Sequence, residues 1–180
     1  MDTLQPKLII LEGLDRVGKT TLIKSLRKMI KNPKIMGLAS SSPPSDVTDI
    51  WSYTHYYKLM GMTELLLQAG WTVIMDRFHI GETVYGPIYR NSKTNYIWDY
   101  ESEIFGDNPN IWLITLVADP EDLVARDDGE SNESSLIEYA KTKAAFEESH
   151  HRSSIQNKLL INVSKQGFAD PKQLMELIYA

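Results

Sequence analysis

Residues 8–20 constrain this chain more than any other stretch. Leu8-Ile9-Ile10-Leu11 is a short apolar run, and Glu12 follows it. Gly13-Leu14-Asp15-Arg16-Val17-Gly18-Lys19-Thr20 then completes a G-x-x-x-x-G-K-[ST] loop. From Lys19 onward, Leu22, Ile23, Leu26, Met29 and Ile30 recur at helical spacing. A buried strand therefore feeds a glycine-bent loop that opens a helix. The glycines let main-chain N–H groups converge on an anion, and the helix turns its positive end toward the same point. Loops of this pattern cradle polyphosphates, with the lysine reaching the outer phosphates and the hydroxyl residue facing Mg²⁺. The expected donor-binding residues are Gly13, Arg16, Val17, Gly18, Lys19, Thr20 and Thr21.

Strand and helix signals alternate through the rest of the chain. Asn32-Pro33 stops the first helix, and Lys34 to Leu38 reads as a second strand. Ala39 to Asp46 is Ser- and Pro-rich and reads as a surface loop. Asp46 or Thr48 caps a helix running to about Ala69, with Leu59, Met62, Leu66 and Ala69 on its apolar face. Gly70 ends it. Trp71 to Met75 is a third strand, closed by Asp76-Arg77, and a helix is expected over Gly81–Arg90. Residues 91–108 look irregular. Ile111 to Val117 is a fourth strand, and Pro120 begins another helix. Residues 127–135 are polar, and Leu136, Ile137, Ala140 and Ala144 then make a helical stripe. Leu159 to Val163 is a fifth strand, followed by a helix from Asp170-Pro171 with Leu174, Leu177 and Ile178 facing inward.

The strands are continuously apolar rather than alternating. That predicts one α/β domain over residues 1–180, a five-stranded parallel sheet with helices on both faces. Ligands of such sheets bind outside the carboxyl ends of the strands.

Composition closes off several chemistries. The chain has no cysteine, so disulfide scaffolds, thiolate metal sites and a cysteine nucleophile are excluded. The net charge of −5 offers no globally basic surface for nucleic acid. No apolar run is long enough to span a membrane, and no secretory signal is visible, so a cytoplasmic location is expected.

Three further groups of residues carry candidate chemistry. Asp76, at the end of an apolar strand beside a phosphate loop, is expected to face the metal with Thr20; the plainer reading is a helix cap. Arg77 is suited to bidentate grip of an anionic acceptor, or to an ion pair. Asp15 and Arg16 are not demanded by the loop's geometry, which points to acceptor contact and transition-state charge. Trp51, Tyr53, Tyr56 and Tyr57 occupy several faces of one helix, so they cannot all be buried together. Glu82 either approaches the acceptor or stays an exposed first-turn carboxylate, the reading preferred here. His79 is near enough in sequence to contact substrate, whereas His150-His151 reads as surface.

Leu11 to Thr20 resembles the phosphate loop of thymidylate kinases, closest to the subgroup with an Asp-Arg pair inside it. Asp76-Arg77-Phe78 is similar to that family's Asp-Arg-Tyr motif, and Val84-Tyr85 falls where the family has a small residue and an aromatic. Phage nucleotide kinases carry similar Asp-Arg-Phe-His segments followed by Val-Tyr-Gly-Pro. The resemblance implies a P-loop kinase fold with a short lid, here residues 127–135, and ATP- and Mg²⁺-dependent transfer of the γ-phosphoryl group to a deoxynucleoside monophosphate. It implies that Asp15 holds the sugar hydroxyl, Arg16 bridges the phosphates, Arg77 grips the acceptor phosphate and Tyr85 packs by the sugar. Arg126, at the lid's edge, becomes the lid arginine, which otherwise reads as a helix-end cation. A homodimer is the analogous assembly, in the host cytoplasm for a viral protein.

The chain departs from the family in two places. Ala39–Ser45 contains no Arg or Lys to hold the acceptor monophosphate. The family's base-reading arginine and aromatic fall at Tyr56 and Ser52 by ungapped counting, which leaves Tyr53, Tyr56 and their aromatic neighbours to stack on the base. Three other functions stay open at this point: a deoxynucleoside kinase, a kinase acting on 5-hydroxymethyluracil within DNA, and a regulatory module that binds nucleotide without transfer.

Overall fold

Three long apolar runs become the centre of the sheet. A computed structural model describes residues 4–32, 34–39, 49–126, 133 and 135–180. Its strands are β1 (Leu8–Gly13), β2 (Ile35–Ala39), β3 (Thr72–Asp76), β4 (Ile111–Val117) and β5 (Asn157–Asn162). They form one all-parallel sheet in the order β2-β3-β1-β4-β5. Every residue of β1 and β4 is buried, as their mostly apolar sequences favour, Glu12 and Thr115 included. The edge strands β2 and β5 are only partly covered.

The helices are α1 (Lys19–Met29), α2 (Asp49–Gln68), α3 (His79–Tyr85), α4 (Tyr96–Tyr100), α5 (Pro120–Ala125), α6 (Leu136–Arg152), α7 (Val163–Gln166) and α8 (Pro171–Ile178). A π turn, Gly86–Arg90, extends α3, and another, Glu101–Phe105, extends α4. The chain leaves β1 toward β2, then returns past it to β4. Right-handed crossovers therefore put α1 on one face and α2 and α6 on the other. The reversal opens a crevice between the carboxyl ends of β1 and β3. Register fixes what faces it: Leu11 pairs with Asp76, and Ala39 also pairs with Asp76.

The α/β class and the sheet agree with the sequence expectation, but several helix faces do not. On α2 the buried residues are Ser52, Tyr56, Met60, Thr63 and Leu67, one position round from the expected stripe, and Met62 is exposed. The helix is apolar on most sides, so periodicity had little to choose between. On α6 the buried residues are Tyr139, Thr142, Phe146, Ser149 and His150, while Leu136 and Ile137 are exposed. Polar side chains go inward there because they find partners: His150 Nδ1 lies 2.9 Å from Thr115 Oγ1. His150 is thus interior, not surface, and burial pushes its pKa down to about 4. Leu177 also points to solvent. Residues 91–108, expected to be irregular, contain α4 and its π turn.

Pro33, the loop 40–48 with its capping candidates Asp46 and Thr48, and nearly all of the lid lie outside the described residues. Among the described residues, no helix is long and apolar enough to cross a membrane.

Candidate active site

The loop after β1 is built by its own backbone. Gly18 is left-handed at φ 90° and caps α1 without any side-chain bond, and the first turn of α1 holds no acid. Among the described residues, the cap therefore offers the opening N–H groups of α1 no side-chain acceptor, and an anion fits there. Arg16 is also left-handed, at φ 62°. Gly13 packs against β4. A Cβ on it would lie 1.8 Å from the Leu116 carbonyl oxygen, so β4 admits only glycine.

Asp15, Arg16, Gly18, Lys19, Thr20, Thr21, Asp76 and Arg77 all line one cavity of about 400 Å³, with Ala39 at its edge. Eight residues named from the sequence thus meet at the carboxyl ends of β1, β2 and β3. Lys19 is nearly buried, and its Nζ donates to the Gly13 carbonyl at 3.1 Å and to that of Leu14. Asp15 Oδ1 is 4.0 Å away. Burial, then repulsion from Arg77, pushes the Lys19 pKa down to about 7. A buried ammonium so poorly compensated is suited to a polyanion. Thr20 and Asp76 face the same space, one hydroxyl and one carboxylate. Among the described residues no cluster of three or more metal-ligating side chains exists. A Mg²⁺ held there would take its remaining ligands from phosphate and water, as that ion commonly does.

Arg77 comes from β3 and crosses to the loop. One guanidinium nitrogen donates to the Gly13 carbonyl at 3.2 Å and to the Tyr85 hydroxyl at 3.1 Å, and the other bonds Asp15. Burial opposes its charge, but the neighbouring Tyr85 and Asp15 outweigh burial and keep it protonated. Tyr85 also turns its ring toward the guanidinium, 5.3 Å from ring centre to Cζ.

Arg126 lies on the other side of the loop. Its Nη1 donates to the Arg16 carbonyl at 3.4 Å, and its guanidinium sits 5.5 Å from the Phe168 ring. Phe168, Val17, Leu22, Leu116 and Ala169 line a second, mostly apolar slot of about 270 Å³. It shares Gly18 and Thr21 with the first cavity. Arg16 Nη1 donates to the Tyr139 hydroxyl at 2.8 Å.

Tyr53, Tyr56 and Glu82 do not line either space. Tyr53 packs against Tyr96 and Tyr100. Glu82 is buried, contrary to the exposed reading, and pairs with Arg90 while accepting from the Tyr56 hydroxyl at 3.4 Å. His79, expected near substrate, is wholly buried 2.6 Å from Glu101. It caps the interior of the fold instead.

Sequence reasoning missed Phe168, Tyr139 and Glu12. Phe168 lies in a polar stretch with no motif. Tyr139 sits on a helix face that was assigned to solvent. Glu12 stands immediately before the motif, and only the fold reveals its partners.

No protein-family model matches the chain, and no curated protein matches it. Solved structures do. YorR from Bacillus subtilis, solved in complex with phosphorylated GDP, superposes with a TM-score of 0.72 at 19% identity, over 96% of this chain and 95% of that one. A thymidylate kinase from Candida albicans, whose structure was described as revealing the origin of broad substrate specificity, gives 0.63 at 18% identity, over 97% and 91%. Thymidylate kinase from Ehrlichia chaffeensis gives 0.62 at 11% identity, over 96% and 98%. The chain therefore has the fold of the thymidylate kinases and of YorR.

Proposed function

We propose that the chain is an ATP- and Mg²⁺-dependent kinase that moves the γ-phosphoryl group to a deoxynucleoside monophosphate. One observation carries this reading. A phosphate loop with its lysine shares a single cavity with Arg77 and Asp15, groups that mere nucleotide binding does not need. An acceptor phosphate oxygen bonds to the γ-phosphorus as the bond from that phosphorus to the β,γ-bridging oxygen breaks, and ADP leaves. Catalysis is positioning and charge neutralisation.

In this reading Lys19 and the amides of the loop hold the donor's phosphates. Gly13 bends the loop, and Val17 packs beneath it. Arg16 turns from Tyr139 toward the developing charge, and Arg77 grips the acceptor phosphate. Asp15 orients Arg77 or meets the sugar hydroxyl, with Tyr85 beside it. Mg²⁺, held by Thr20 and through water by Asp76, supplies charge neutralisation on the phosphates. The apolar slot lined by Phe168, Val17, Leu22 and Leu116 suits the flat ring of the donor base, with Arg126 stacked beside Phe168. Such an enzyme works where nucleotides are free, in the cytoplasm.

The test is ADP release with ATP and Mg²⁺ across dTMP, dUMP, dGMP, dAMP, dCMP and 5-hydroxymethyl-dUMP. The guanine nucleotide in YorR is the reason to include dGMP. One or more acceptors should be turned over, and Lys19→Ala should lower that rate at least about a hundredfold with an unchanged circular dichroism spectrum. Turnover of nucleosides or of modified DNA alone, or of nothing in the panel, overturns the proposal.

A further inference from the structure

Glu12 is a fully buried carboxylate that the mechanism above does not use. It closes β1, one residue before the loop glycine. Its Oε1 accepts two main-chain N–H groups from the far side of the crevice, Phe78 at 2.7 Å and Gly81 at 3.0 Å. Those residues bracket the start of α3. Immediately before them, the Arg77 N–H donates to the Leu11 carbonyl at 2.9 Å. The segment carrying Arg77 is thus pinned at both ends by two adjacent residues of β1. Leu11 holds it by main chain and Glu12 by side chain.

The pinning matters because Arg77 is left-handed, at φ 61°. That conformation is unfavourable for a residue with a Cβ and persists only where its surroundings over-determine it. In it, the arginine side chain turns back over the loop to Gly13, Asp15 and Tyr85. A Cβ on Gly81 would lie 3.3 Å from Glu12 Oε2, so α3 approaches the carboxylate closely. That second oxygen has no hydrogen-bond partner among the described residues despite its burial. The cost of keeping such a group inside needs a return elsewhere.

We propose that Glu12 is the positioning residue for Arg77, tying the acceptor-side guanidinium to the donor loop through one carboxylate. This rests on the kinase reading for its kinetic consequence, while its geometric content stands apart. Glu12 touches no substrate. It acts by holding the strained turn in which Arg77 points into the cavity. Because the tie starts one residue from Gly13, donor phosphates and acceptor grip share one rigid origin.

The test uses the full chain with Glu12→Ala and Glu12→Gln, alone and combined with Arg77→Ala. Turnover of the acceptor should fall about a hundredfold in Glu12→Ala, since an ångström of misplacement costs that much. ATP affinity, read with a fluorescent analogue, should change less than about twofold, because Lys19 and the loop amides are untouched. Glu12→Gln keeps an oxygen for both N–H groups and should recover most of the loss. In the Arg77→Ala background, removing Glu12 should add little, as expected of residues acting as one unit. Crystals of Glu12→Ala should show Arg77 out of the left-handed region with its bond to Asp15 broken. Additive losses, an equal fall in donor affinity, or Arg77 unmoved in those crystals would each overturn the proposal. If the unaltered chain phosphorylates no acceptor, the kinase reading falls, and the crystals and the donor titration still decide the role of Glu12.

Discussion

Lys19 is where sequence and structure say different things about one residue. The motif demands a cation, yet burial and Arg77 leave its pKa at about 7 in the ligand-free site. If a polyphosphate occupies the site it restores the charge, and binding above neutral pH then takes up a proton. Calorimetry of ATP binding at pH 8, in buffers of different ionisation heat, should show uptake approaching one proton. Lys19→Ala should abolish it. The same shift sets a stability slope. A lysine depressed on folding binds fewer protons in the native than in the unfolded chain, between about pH 7 and its ordinary value near 10.5. Its cost is therefore largest below pH 7 and is relieved as pH rises through that window. No proton uptake at pH 8 would mean that Lys19 is charged before the nucleotide arrives.

At the scale of elements, the pairing of β1 with β4 decides how the loop begins. Gly13 stands opposite Leu116, and the loop's first N–H, from Leu14, donates to the Leu116 carbonyl at 3.2 Å. A methyl group on Gly13 would overlap that carbonyl and would also sit on a backbone at φ 127°. Gly13→Ala should cost more than about 3 kcal/mol in urea unfolding, a value reserved for core overpacking and backbone strain together. A loss under about 1 kcal/mol would reject the close approach. The motif announced this glycine as part of a phosphate loop. Only the strand pairing reveals that its absence of a side chain is used against the neighbouring strand. α2 and α6 teach the converse. Their buried faces were misread because apolar residues surround α2, and because Thr142, Ser149 and His150 go inward with polar partners. Hydrophobic spacing alone carries no information about such partners.

Across the molecule, a buried polar network joins helices far apart in sequence. Glu101 meets His79 at 2.6 Å, the Ser154 N–H at 2.6 Å and the Ser153 hydroxyl at 3.0 Å. It thus links the starts of α3 and the π turn after α4 to the end of α6. Burial by itself would raise the Glu101 carboxyl, but the His79 ring and Ser154 outweigh it and hold the pKa at about 2. A carboxylate depressed on folding adds stability that is complete above its unfolded value. That stability is lost as pH falls from about 5 toward 2, on the order of 3 kcal/mol for such a shift. Glu101→Gln should flatten this acid limb of the denaturation profile. An unchanged limb would show that the network does not titrate as a unit. Removing the carboxylate also leaves polar atoms unpartnered inside, so the variant should melt lower at neutral pH as well.

The sequence by itself determined the phosphate-loop side of the cavity. Strand, loop and helix are consecutive residues, and a phosphate cradle made of successive amides is a local object. Alternating apolar segments were likewise enough for the parallel sheet. The Arg77 side of the cavity was decided by tertiary structure. Arg77 reaches Asp15 across 62 residues only because β1 and β3 pair with Leu11 beside Asp76. The same register brings Glu12 under Phe78 and Gly81. Phe168 joins Arg126 only after β5 has been laid against β4. Contacts of that kind depend on which strand neighbours which, and on the hand of the crossovers. No spacing within a single segment encodes either.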